Sequence, residues 1–292
     1  NQGLVRYLKE QFGIDESVIS VTSSVENEIN DILGSIDSVK EFNQYKVIKA
    51  MQNHGLSDSH FAGTTGYGYG DRGREILDAV YADVFKAEDA LVRHQIVSGT
   101  HALAVSLYGN LRPGDELLSV TGKPYDTLEE IIGISGEGGG SLKDFGITYR
   151  QVDLLDDGSV DYNSIKRAIH DRTKMVLIQR SRGYGWRAAL GIENIKRIIS
   201  FVKGIKEDII VLVDNCYGEF VEEEEPIDAG ADIAAGSLIK NPGGGLALAG
   251  GYIVGKEKYV QNAAYRLTTP GLGKEVGCSL GNNRRMFQGL FF

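Results

Sequence analysis

From Arg93 to Gly255 the chain repeats one pattern, in which a short apolar run, a turn and a helix-length amphipathic segment follow one another. Such repetition predicts strands alternating with helices, and hence a mainly parallel, doubly wound α/β sheet with right-handed crossovers. HQIVSG reads as the first strand, and THALAVSLYGNL as a helix stopped by Arg112-Pro113-Gly114-Asp115. ELLSVTG is a strand, YDTLEEIIGI a helix, and the glycine-rich SGEGGGSLKDFG a loop leading into the strand ITYRQVDL. A helix over residues 162–169 precedes the strand MVLIQRS, and the helix IENIKRIISFVKGI precedes the strand IIVLVDN. The last two strands, DIAAGSLI and GGYIVG, are joined by a link too short for a helical crossover. The final strand is therefore expected to run antiparallel.

Ahead of this sheet, residues 1–60 read as a helical arm. Ile29, Ile32, Leu33, Ile36 and Val39 fall close to one helical stripe. The stripe has two readings, a helix packed on its own domain or an arm reaching to a partner subunit. The sheet domain is expected over residues 61–270. Composition excludes several classes. Among 292 residues, hydrophobic content of 42% and charged content of 24% are those of an ordinary soluble chain. A net charge of −9 argues against a nucleic-acid footprint. No stretch is long and apolar enough to span a bilayer. The two cysteines, Cys216 and Cys278, make no disulfide framework, so a reducing cytoplasm is the expected setting.

Gly68-Tyr69-Gly70-Asp71-Arg72-Gly73 has the GxGxxG form of a dinucleotide-binding turn. That turn needs a preceding strand, and HFAGTTGY is none, so a nicotinamide dehydrogenase is a distant reading. The better one is a glycine-tyrosine loop leading into a helix over residues 74–86. In that loop Tyr67, Tyr69 and Arg72 either pack or offer a hydroxyl and a guanidinium to a phosphate. Glu222 to Glu225 read as a solvated acidic turn rather than a metal site, and the histidines show no metal spacing.

Two residues carry the chemistry. Asp214 ends the apolar run Val211-Leu212-Val213, and Lys240 ends the apolar strand that starts at Asp232. Both are expected at the carboxyl ends of strands, where open α/β sheets bind ligands. A buried aspartate is a strong partner for an N–H⁺, and burial would lower a lysine's pKa and leave a nucleophilic amine. The pair suits a Schiff base with an aromatic aldehyde cofactor, the lysine forming the imine and the aspartate keeping a ring nitrogen protonated. Against this stand a loop-capping aspartate and a lysine snorkelling from a strand end. Ser98-Gly99-Thr100 opens a helix and is either an anion site or a plain N-cap. Ser237, three residues before Lys240, could reach the same anion, and Tyr125 could stack on a flat ring.

The ordered set GYGYGDRGR, VSGTHAL, LRPGDELL, VLVDNCYGEF and GSLIKNPGGGLALAGGYIVG resembles the fold-type-I pyridoxal-phosphate enzymes over roughly residues 60–255. Within them it is most similar to the cysteine/methionine-metabolism group, and especially to the methionine γ-lyase-related family often labelled aluminium-resistance proteins. The resemblance implies a PLP-dependent transferase-like fold with Lys240 holding pyridoxal 5'-phosphate and Asp214 on the pyridine nitrogen. It implies Ser98, Gly99, Thr100 and Ser237 on the phosphate and Tyr125 on the ring. Tyr69 and Arg72 would serve the neighbouring subunit, so a homodimer or homotetramer with shared active sites is implied. The implied activity is a carbon–sulfur lyase, by β- or γ-elimination from a sulfur-containing amino acid such as cystathionine, methionine or cysteine. Other chemistry of the same cofactor (γ-replacement or aldolase-like cleavage) and a cofactor-binding stress-response protein without turnover are the alternatives. Such enzymes continue into a small C-terminal domain that supplies an arginine for the substrate carboxylate. Residues 271–292 read as the start of that domain, with the rest absent, and Arg284 and Arg285 stand too early to replace that arginine.

Overall fold

The computed structural model describes residues 2–292. Contacts divide the chain into two units at Phe42. Described by itself, the first holds α1 (Gln2–Phe12), α2 (Glu16–Glu28) and the opening of α3 (Asn30–Asn53). Helix α2 starts where the Asp15 carboxylate accepts from the Ser17 N–H at 2.8 Å, satisfying one of the donors that a helix start leaves over.

The second unit is the α/β sheet expected from the alternation. Its elements are α4 (Arg72–Val84), β1 (Asp89–Arg93), α5 (Gly99–Asn110), β2 (Glu116–Ser119), α6 (Asp126–Ile132), β3 (Thr148–Gln151) and α7 (Tyr162–Ala168). They continue with β4 (Thr173–Gln179), α8 (Ile192–Ile205), β5 (Ile210–Asp214), β6 (Ile233–Ser237), β7 (Gly251–Gly255), α9 (Glu257–Leu267) and α10 (Asn283–Phe291). The strand order among the described residues is β1-β7-β6-β5-β4-β2-β3. Strands β2 to β6 pair in parallel, and β7 alone runs antiparallel, between β6 and β1.

Side chains of the central strands alternate between two cores, as the period of two requires. Val176, Ile178, Val211, Val213, Ala234 and Val254 join α4, α8 and α10 on one face. Met175, Leu177, Ile210, Leu212, Ala235 and Ile253 join α5, α6 and α9 on the other. Each fully buried Val, Ile or Leu here contributes about 1.5–3 kcal/mol. A sheet covered on both faces leaves its strand ends as the place for a ligand.

Three expectations are corrected. HQIVSG is not a strand: β1 lies earlier, at Asp89–Arg93, and residues 94–98 form the turn that carries the chain into α5. The charged Asp89 and Arg93 conceal that strand, since Arg93 is buried on Asp78, its Nη1 lying 2.7 Å from Oδ1. Helix α4 begins at Arg72 rather than at residue 74, because the Asp71 carboxylate caps the Arg74 N–H at 2.9 Å. The acidic run is not wholly solvated: Glu225 is buried and, with Glu222, faces the buried guanidinium of Arg180.

Candidate active site

The parallel register brings the carboxyl ends of β4, β5 and β6 to one sheet edge, with Gln179 beside Asp214 and Asp214 beside Ala235. A cavity of about 730 Å³ opens there. Asp214, Ser237 and Lys240 line it together with Ser98, Gly99, Thr100 and Tyr125. Residues from four separate stretches of the sequence thus meet in one place.

Asp214 is the last residue of β5 and is 5% exposed. Its Oδ1 accepts from the Cys216 N–H at 3.1 Å, so the carboxylate both caps the following turn and faces the cavity. Burial pushes its pKa up, opposed by hydrogen bonds from Cys216 and by the Lys240 charge. A buried carboxylate of this kind gains most from a cationic N–H placed opposite it.

Lys240 stands at the start of a 3₁₀ turn, Asn241–Gly243, whose entry is fixed by a Lys240 N–H bond to the Ser237 carbonyl at 3.3 Å. Its ammonium lies over the Tyr217 ring, 4.2 Å from the centroid. The sequence suggests a lowered pKa, and the structure corrects this. Burial does pull the amine down, but Cys216, Asp214 and Tyr217 together push it above the ordinary lysine value. Since burial also holds the Cys216 thiol neutral, Asp214 is the negative partner that counts at neutral pH.

Ser98 N-caps α5, its hydroxyl accepting from the His101 N–H at 3.1 Å. The helix start comes close to the strand ends because residue 99 is glycine. A Cβ there would stand 2.9 Å from the Cys216 Sγ and 3.3 Å from the Ser237 Cβ. The Ser237 hydroxyl accepts from the Ile239 N–H at 3.1 Å, which leaves its own proton to donate. The Thr100 hydroxyl pairs with that of Thr127 at 2.7 Å. Tyr125 stacks against Tyr184 with ring centroids 5.6 Å apart, and their hydroxyls are bonded at 3.0 Å. That bond leads the causes that push the Tyr125 hydroxyl up to about 12.

Tyr69 and Arg72 are exposed and do not line this cavity. Conversely, Cys216, Tyr217, Arg180 and Tyr184 line it, though sequence reading did not single them out for a ligand site. Arg180 follows β4 and Cys216-Tyr217 follow Asp214-Asn215. The rule that led to Asp214, that a residue just past a buried parallel strand faces the crevice, would have found both.

Residues 18–292 match the methionine gamma-lyase family. The chain belongs to that family. It is a family of pyridoxal-phosphate-dependent enzymes of the cysteine and methionine type. An uncharacterized protein of Bacillus subtilis, YnbB, is 56% identical over 268 residues, covering 91% of this chain and 64% of its own length. A solved carbon–sulfur lyase involved in aluminum resistance, from Clostridium novyi, is 50% identical with a TM-score of 0.94. That match covers 98% of this chain and 68% of the Clostridium protein. A pyridoxal-5'-phosphate-dependent protein of Escherichia coli, YhfS, shares the fold alone, at 19% identity and a TM-score of 0.65 over 88% of this chain and 64% of its own. The chain spans about two thirds of the length of the relatives it matches. No helix of the described residues is long and apolar enough to cross a membrane.

Proposed function

We propose that this protein is a pyridoxal-phosphate-dependent carbon–sulfur lyase acting on a sulfur-containing amino acid. One observation carries the reading: a lysine amine and a buried carboxylate share one cavity with the N-terminus of α5. The residues fit the cofactor. Glycine at position 99 leaves a cradle that a Cβ would fill, and the buried Asp214 calls for a cationic N–H. When bound, pyridoxal phosphate supplies an electron sink next to the substrate Cα.

The chain's own groups have separate tasks in this reading. The first N–H groups of α5, with the hydroxyls of Thr100 and Ser237, bind the phosphate at the positive end of the helix dipole. Asp214 keeps the proton on the ring nitrogen, favoured by the low dielectric around it. Lys240 would hold the cofactor's aldehyde carbon, and its freed amine would take the proton from the substrate Cα as a general base. With that sink in place, the sulfur substituent would leave with the C–S bonding pair and take up a proton. Hydrolysis of the remainder gives a keto acid and ammonia. Tyr69 and Arg72, exposed and outside the lining of this cavity, would donate to the cavity of a partner subunit.

The test is a visible spectrum of the purified protein with added pyridoxal phosphate, followed by borohydride reduction. A yellow band, bleached by borohydride and leaving the cofactor on Lys240 by mass spectrometry, is expected. A protein that stays colourless, or one labelled on another lysine, would refute the reading. Release of pyruvate or 2-oxobutyrate from cystathionine, cysteine or methionine separates a lyase from a protein that binds without turnover.

A further inference from the structure

Behind Asp214 lies a second acid that the proposed chemistry does not use. Glu219 is 1% exposed, at the end of the turn that begins at Asn215. Its Oε1 accepts from the Tyr252 hydroxyl of β7 at 2.8 Å, and its Oε2 has no hydrogen-bond partner among the described residues. Its backbone carbonyl accepts from the Asn241 side chain at 3.0 Å, directly after Lys240. The Tyr252 hydroxyl also lies 3.2 Å from Asn215 Nδ2, directly after Asp214. One residue thus touches the turn after Asp214, the loop that carries Lys240, and β7.

The space for this carboxyl group is built into β6. A Cβ on Gly236 would stand 2.4 Å from Glu219 Oε1 and 2.7 Å from the Tyr252 hydroxyl. No cation is paired with it. The buried Arg180 guanidinium serves Glu222 and Glu225, at 3.2 and 3.6 Å, and no ion pair among the described residues includes Glu219. The titratable groups around it are Tyr252, Glu225 and Asp214, with Tyr81 and Cys216 feeling its charge, and none is a cation. An ionised carboxylate so placed would lose its hydration and gain one neutral donor in return.

We propose that Glu219 is a neutral carboxylic acid and a positioning residue, tying the Asp214 turn to the Lys240 loop without adding a buried charge beside Asp214. Burial pushes its pKa from 4.5 up to about 8, in keeping with this geometry. An acid whose folded pKa is raised stabilises the fold fully below the unfolded value. That stability is lost as pH rises toward the folded value.

The decisive comparison is between the wild type and Glu219→Gln, which keeps the shape of the neutral acid and cannot ionise. Chemical denaturation without any cofactor is followed across that pH range. From about pH 5 to about pH 8 the folding equilibrium constant of the wild type should fall about tenfold per pH unit relative to the variant. Two profiles separated by a constant offset would overturn the proposal. Should the variant fail to fold, difference infrared spectroscopy of the wild type decides. A buried protonated carboxyl stretch at pH 6 that disappears above pH 8 supports the proposal, and the lack of any such stretch at pH 6 overturns it. Neither measurement involves pyridoxal phosphate, so the result stands apart from the proposed function.

Discussion

The floor of the cavity and its rim are built on opposite principles. On the floor, Asp214, Cys216, Ser237 and Arg180 are each 6% exposed or less and stand on or just past strand ends. At the rim, Tyr217 and Tyr184 are 63% and 81% exposed and belong to connecting segments. Backbone ladders hold the floor, whereas ring stacking and one hydroxyl pair hold the Tyr125–Tyr184 contact at the rim. The difference teaches where tolerance lies. A floor residue answers to packing, charge and reaction at once, and a rim residue answers only to what enters.

Substitutions should separate the two regions by size of effect. Lys240→Ala removes the amine, and keto-acid release should drop by at least about 10³-fold, the scale of a positioned base. Turnover within tenfold of wild type in a continuous assay would move the reactive amine elsewhere. Arg180→Ala leaves Glu225 buried without its cation and should cost about 3–5 kcal/mol in denaturant unfolding. A loss below about 1 kcal/mol would mean that the acidic turn is held by other bonds. The upward shift at Lys240 sets a third expectation. Below its raised pKa, the rate of cofactor capture should climb about tenfold per pH unit as the neutral amine fraction grows. A flat rate between pH 6 and pH 9 in stopped-flow absorbance would show the amine already neutral. Gly99→Ala drives a methyl group against Cys216 and Ser237 and should cost about 1–3 kcal/mol of stability. Its affinity for inorganic phosphate, measured by titration calorimetry, should weaken as well. The smallest effect belongs to the fully exposed Trp186, outside the cavity lining. Trp186→Ala should change stability by no more than about 0.5 kcal/mol, and a larger shift in melting temperature would show that the ring is covered.

Most of this architecture was legible from periodicity. The runs that form β4 and β5 are apolar on both faces and could only be covered strands, and the short link after Lys240 correctly marked β7 as antiparallel. The first strand escaped because Asp89 and Arg93 look solvated, and only the tertiary partner Asp78 reveals why an arginine is buried there. The same holds for Glu225 in its acidic run, whose environment depends on Arg180, 45 residues earlier in the chain. Within the cavity, Asp214 and Lys240 were found because a charge ending an apolar run is conspicuous. Cys216 and Tyr217 carry no charge to mark them, although they directly follow the strand end at Asp214, and their contacts come from α5 and the Lys240 loop. The protonation of Lys240 was misjudged for the same reason, since burial can be guessed from sequence while the groups that offset it cannot.

The antiparallel β7 has one more consequence, for the time order of synthesis. It is the only ladder partner of β1 among the described residues, and about 160 residues separate Arg93 from Gly251. At about 5–20 residues per second, a ribosome would leave β1 without its neighbour for roughly 8–30 seconds. During that interval Leu91 and Val92 lie on an open strand edge, the kind of surface on which nascent chains join one another. Helix α4, made just before β1, already supplies Asp78, whose Oδ1 accepts from the Val92 N–H at 2.8 Å. Asp78 thereby occupies a donor on the edge of β1 that faces away from β7, so that outer edge is covered both before and after the last strand arrives.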